Sequence, residues 1–127
     1  MIKHKRFDNL RRYLLYALAE LEYYINMTNA KISDGIAHQL PDDLKTVLQA
    51  DKSLLERWED LTPLARNEWI CWTVTCKRSE TRAEHIRRVR TELLAGKRRP
   101  CCWAGCPHRT DKAMNATQKW LLEKQNK

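Results

Sequence analysis

The residues best suited to chemistry lie in one short stretch, Cys101-Cys102-Trp103-Ala104-Gly105-Cys106-Pro107-His108-Arg109. Three thiols and one imidazole are the donor types that tetrahedral zinc takes. Cys102, Cys106 and His108 follow a C-x3-C-x-H spacing, and Cys101 is adjacent. Gly105 and Pro107 allow the backbone to turn tightly around an ion. Lys97, Arg98, Arg99 and Arg109 surround the stretch with positive charge, which favours the thiolate forms that bind metal. Cys101, Cys102, Cys106 and His108 are therefore the candidate zinc ligands. Two other readings fit the same residues: a reduced cysteine-rich turn that packs Trp103 on the domain, and a redox-sensing pair. Because the four residues are close in sequence, an ion bound there would pin the tail rather than build the fold.

Catalysis has less to stand on. A nucleophilic cysteine needs a basic partner and a third group that orients it. His108 is near Cys106, but nothing completes a triad, and no glycine-rich phosphate loop or paired carboxylates occur. The expectation is a chain that is not an enzyme. Cys71 and Cys76 read as small core hydrophobes, as free cysteines often are. His4 and His38 read as solvated, and His85 has no evident ligand partner.

A second set of candidates is cationic. Arg82, Arg87, Arg88 and Arg90 surround the apolar stripe of one helix, and Lys97, Arg98, Arg99 and Arg109 extend the charge beyond it. Such a face contacts phosphates without reading sequence, so nucleic acid is a candidate partner. Glu80, Glu84 and Glu92 offer these cations internal partners instead, Glu84 with Arg88 at intrahelical pair spacing. Trp103 is the candidate for stacking on a base or a protein partner. Trp58, Trp69 and Trp72 read as core.

The elements that must position these residues are helices. Positions 6–29 carry Phe7, Leu10, Leu14, Ala17, Leu21 and Tyr24 at alternating spacings of three and four, an amphipathic helix that packs on its own domain or pairs with a second copy. Ser33-Asp34-Gly35 is turn chemistry. Pro41 with Asp42 and Asp43 starts a helix, Asp51 caps another, and Thr62-Pro63 starts a third that runs to about Lys77. Ser79 caps the last strong helix, and Gly96 suits the left-handed turn that ends it. The expected organisation is an N-terminal helix and turn over 1–35, a helical domain over 36–96, a basic cysteine-rich knuckle over 97–109 and a polar flexible tail over 110–127. Strand-like alternation is hard to find, so the expected class is all-α.

The 127 residues carry a net charge of +8, distributed unevenly. Residues 77–127 hold fourteen Lys/Arg against five Asp/Glu, whereas residues 35–76 hold four against seven. That asymmetry favours an anionic partner or a solvated basic face. No apolar run approaches the ~18 residues of a membrane span. The basic N-terminus is followed by Asp8, Arg11 and Arg12 rather than an apolar signal core. Five cysteines, an odd count, suit reduced thiols or metal ligands better than a disulfide framework. The expected compartment is the cytoplasm.

The stretch Asp34–Arg109 also carries a resemblance. Leu40-Pro-Asp-Asp-Leu44, Leu61-Thr-Pro-Leu-Ala-Arg-Asn-Glu68, Lys77–Arg88 with its Glu80-Thr-Arg82 core, Gly96-Lys-Arg-Arg-Pro-Cys-Cys-Trp103 and Gly105-Cys-Pro-His-Arg109 resemble the YdeI/OmpD-associated family, also labelled bacteriocin-protection proteins. The resemblance implies a domain of several short helices and no established catalytic set. It implies an accessory protein linked to envelope stress or tolerance of bacteriocins and antimicrobial peptides, acting through a protein partner. Larger relatives place this module after a β-rich domain, where this sequence has a tyrosine-rich helix. The alternatives are a nucleic-acid-binding module and a metal- or redox-responsive regulator.

Overall fold

The computed structural model describes residues 2–127, with side chains described for 8–26 and 30–127. It is all-α, as expected: six helices and, among the described residues, no strand. The chain separates into two compact units, residues 1–31 and 32–127. The first is a single helix, α1 (Ile2–Asn29). Every side chain described within it is exposed, including Leu10, Leu14, Leu18, Leu21 and Ile25. Phe7, the first residue of the expected stripe, lies outside the described side chains.

The second unit contains α2 (Asp42–Gln49), α3 (Lys52–Asp60), α4 (Pro63–Val74), α5 (Ser79–Leu94) and α6 (Ala116–Gln125). Local chemistry sets most of the boundaries. The Asp51 carboxylate accepts from the Leu54 N–H and starts α3; the Thr62 hydroxyl accepts from the Ala65 N–H and starts α4, with Pro63 in the first turn. At the end of α5 the Gly96 N–H reaches the Leu93 carbonyl and the Lys97 N–H the Glu92 carbonyl. This paired closure needs a left-handed residue, and Gly96 supplies it at φ +90°. α4 is shorter than expected, stopping at Val74.

Helix α4 is buried on all sides from Ala65 to Thr73 and is the centre of the unit. Helix α5 packs against α2, α3 and α4, and α2 packs against α3. Leu44, Leu48, Leu54, Trp58, Trp69, Ile70, Val89 and Leu93 fill the space between them. Trp58 and Trp69 use their ring N–H groups to tie down loops, Trp58 to the Ser33 carbonyl and Trp69 to the Arg98 carbonyl.

Residues 110–127, read from sequence as a flexible tail, contain α6. Asn115 and Gln118 close its first turn with a reciprocal capping box. The Gln118 side-chain amide also donates to the Ala104 carbonyl, tying the helix to the cysteine-rich segment.

Candidate metal centre

Three chain segments meet at α4, and α4 itself arranges the meeting. The loop before α2 is the first. The side-chain oxygen of Asn67, fully buried, accepts from the backbone N–H groups of Ala37 and His38 at 2.9 and 3.0 Å. The loop comes so close that a Cβ on Gly35 would sit 2.5 Å from the Asn67 Cα. Only glycine fits this approach. The His38 imidazole is thereby held against the helix.

The cysteine-rich segment is the second. The Glu68 carboxylate, buried on the next position of α4, accepts from the Cys106 backbone N–H at 2.9 Å and from the Trp103 ring N–H at 2.8 Å. Arg109 approaches the same carboxylate at 3.8 Å. Trp103 is therefore half-buried against the core rather than free to stack on a partner, which corrects that expectation. Cys71, one turn beyond Asn67, is the contribution of the helix itself.

The result is a cluster of His38, Cys71, Cys106 and His108 whose ligand atoms all lie within 4.8 Å of one another. His38 Nε2 is 3.2 Å from His108 Nδ1, and Cys106 Sγ is 3.4 Å from His38 Nε2. His108 Nδ1 is 3.6 Å from Cys71 Sγ and 3.9 Å from Cys106 Sγ. Zinc bonds of about 2.0–2.1 Å to nitrogen and about 2.3 Å to sulfur give tetrahedral edges of ~3.3 Å between nitrogens and ~3.6 Å between nitrogen and sulfur. The four separations of 3.2, 3.4, 3.6 and 3.9 Å lie close to these edges, and the whole set is contained within 4.8 Å. Both cysteines are buried and both histidines are half-buried. The set could hold a metal ion, and two thiols with two imidazoles are the donors of a tetrahedral S2N2 site.

Electrostatics prepare the sulfurs. The Cys106 thiol is drawn down to about 3, first by a hydrogen bond from Cys71 and then by His38, the His108 backbone and Asn67, all against the effect of burial. Cys71 moves the other way, raised first by that same hydrogen bond and then by burial. One hydrogen bond accounts for both directions, with Cys71 as donor and Cys106 as acceptor. A cation at the centre would displace the thiol proton and take the imidazoles through their lone pairs, as the common partner of the four ligand atoms.

The sequence-derived zinc set is divided by the fold. Cys106 and His108 join the cluster; Cys101 and Cys102 lie outside it, exposed, with their sulfurs 2.9 Å apart. Two cluster residues escaped sequence reasoning. His38 stands alone in its loop, and Cys71 lies in an apolar helix. The available signal was that Asn67 and Glu68 lie four and three positions before Cys71, on one side of a helix whose neighbours are largely apolar. The other thiol–imidazole contact, Cys76 Sγ to His85 Nδ1 at 3.1 Å, is of a different kind. The same Nδ1 lies 3.0 Å from the Trp72 carbonyl, so it carries the proton and cannot take one from Cys76. His85 is otherwise stacked on the Trp72 ring.

The cationic candidates are mostly spoken for. Arg82 pairs with Asp43 at 2.7 Å, Arg87 with Glu84, Arg88 with Glu92 and Arg90 with Asp51. Lys97 reaches Glu92, Arg98 reaches Asp60 and Arg109 reaches Asp111. Arg88 also lies over the Trp72 ring. Of the eight, Arg99 alone faces no carboxylate among the described residues.

Among the described residues no helix is long and apolar enough to cross a membrane. No curated protein and no solved structure matches the chain. A family model does match, over residues 37–96, from the loop that carries His38 to the glycine that ends α5. Over residues 37–96 the chain is similar to the family described as bacteriocin-protection, YdeI or OmpD-associated.

Proposed function

We propose that His38, Cys71, Cys106 and His108 hold one zinc ion in a closed structural centre. The chain then acts as a non-catalytic accessory protein in which the metal fastens the cysteine-rich segment to the family domain. The supporting observation is the convergence of four thiol and imidazole donors, from three segments, within 4.8 Å of one another, four of the separations lying near tetrahedral edges. Four protein ligands fill a zinc tetrahedron and leave no position for water or substrate, which is the arrangement of structural rather than catalytic sites. Iron or cobalt would accept the same donors, but a d10 ion without redox chemistry best suits a buried centre with nothing to react.

The centre rewrites what a metal does here. An ion held by residues 101–108 alone would order one turn. An ion held by His38, Cys71, Cys106 and His108 ties the start of the domain, its central helix and the segment after it. Two of the four ligands, His38 and Cys71, lie inside the matched domain and two beyond it. Thiolate ligands also require reduced cysteines, in keeping with a cytoplasmic location. The family description supplies bacteriocin protection as the biological association, and a folded surface offered to a protein partner is how a chain with a closed metal centre would serve it.

The test is metal content of the full chain purified under reducing conditions, with cobalt substitution as a readout of geometry. About one zinc per chain is expected, with thiolate-to-cobalt charge-transfer bands and tetrahedral d–d bands in the cobalt form. His38→Ala should lose the metal, although His38 lies far from the cysteine-rich segment in sequence. Cys101→Ser/Cys102→Ser should retain it. Metal that survives His38→Ala but disappears from the double serine variant would overturn the assignment.

A further inference from the structure

Helix α1 has a surface that its own unit does not cover. Its 28 residues extend about 42 Å. An isolated helix in water is only marginally stable, and an apolar stripe left in solvent weakens it further. Yet Leu10, Leu14, Leu18, Leu21, Tyr24 and Ile25 are all exposed, each by 48 % or more. On a helical projection at 3.6 residues per turn these residues share one face.

The pattern of that face says what fits it. Positions 7, 10, 14, 17, 21 and 24 alternate spacings of three and four, the seam of a two-stranded coil. Reversed end for end, the seam reads the same. A second copy running the opposite way sets 7 level with 24, 10 with 21 and 14 with 17, and each layer recurs on the other side of the two-fold axis. Such an isologous contact closes on itself.

Charge selects the direction. Arg11 and Arg12 lie in the first half of the helix, and Glu20 and Glu22 in the second. Arg11 and Glu22 flank the same edge of the apolar stripe. In a parallel pair each charge would face its own kind. In an antiparallel pair Arg11 of one copy comes nearly level with Glu22 of the other along that shared edge, within reach of long side chains, whereas Arg12 lies on the far face. We infer that α1 is a dimerisation helix, pairing antiparallel with α1 of a second copy of this chain.

This inference is independent of the metal centre, and the experiment keeps the two apart. The full chain is examined by sedimentation equilibrium, with zinc content measured on the same samples. The wild type should be a dimer at micromolar concentration. Leu14→Glu/Leu21→Glu should be monomeric with zinc content unchanged, showing that the second unit is intact. Arg11→Glu should weaken the dimer roughly tenfold, in line with the modest size of exposed ion pairs counted twice across the two-fold axis. Adding Glu22→Arg to that variant should restore it. A monomeric wild type would overturn the inference. So would a dimer indifferent to Leu14→Glu/Leu21→Glu, and a dimer unchanged by Arg11→Glu would overturn the antiparallel direction.

Discussion

Two pairs of cysteines in this molecule invite comparison as candidate metal donors. Cys101 and Cys102 are adjacent, exposed and 2.9 Å apart at their sulfurs. Cys71 and Cys106 are separated by 35 positions, buried, and each faces a histidine nitrogen. Proximity along the chain produced the first pair without any help from the fold. The second exists only because Asn67 and Glu68 draw two distant segments onto one helix. A metal site needs donors that converge from different directions with their remaining surface shielded, and neighbours on one turn of backbone supply neither.

The sharpest way to break the comparison is to remove the ion. Chelation of the purified zinc form should unfold the region around the cluster, at a cost of about 4 kcal/mol where free zinc exceeds its dissociation constant about a thousandfold. Thermal denaturation with and without chelator measures this. Release should also occur on acidification, because falling pH returns protons to the imidazoles and thiolates that the ion had displaced. If the melting temperature ignores chelator while zinc is lost, the ion is not structural.

Next come the two residues that create the convergence. Asn67→Ala removes the acceptor for the Ala37 and His38 N–H groups, and should lower zinc affinity roughly 10- to 100-fold, as loss of a supporting contact does. It should also destabilise the domain by about 1–3 kcal/mol through unpaired backbone donors. Competition against a chelating dye reports the first effect and urea denaturation the second. Gly35→Ala probes the same contact from the other side. Its new methyl meets Asn67 backbone, so a loss of ~1–3 kcal/mol is expected, without change in the ligand set.

The opposite arm of the comparison should be nearly silent. Cys101→Ser/Cys102→Ser should shift stability by no more than about 0.5 kcal/mol, the usual range for exposed positions. Cys102 sits at φ +61°, so Cys102→Gly should be neutral or slightly stabilising. Chemical denaturation of both variants checks this.

A surface pair away from both groups has a comparably small effect. Arg82 holds the Asp43 carboxyl below its ordinary value, chiefly by a side-chain hydrogen bond. The folded pKa is depressed, so this contribution is present above about pH 4 and is lost as pH falls through the folded value. Arg82→Ala should therefore cost about 0.2–1 kcal/mol near neutrality and progressively less in acid. A pH series of denaturation midpoints for the two chains would show the difference closing.

Much of this protein is written in short-range patterns. The helical class, the caps at Asp51 and Thr62, the stop at Gly96 and the burial of Trp58 and Trp69 all follow from residues within a few positions of one another. So does the family signature over 37–96. Cys106 and His108 were legible as ligands for the same reason, being two apart in a turn-forming stretch. His38 and Cys71 were not, because a ligand set assembled across 71 positions leaves no spacing to read. The sequence by itself determined the helices and which side chains had donor chemistry. Which donors meet was decided only by the tertiary structure, through the contact of one loop and one turn with α4, because metal coordination depends on distances in space that backbone periodicity does not encode.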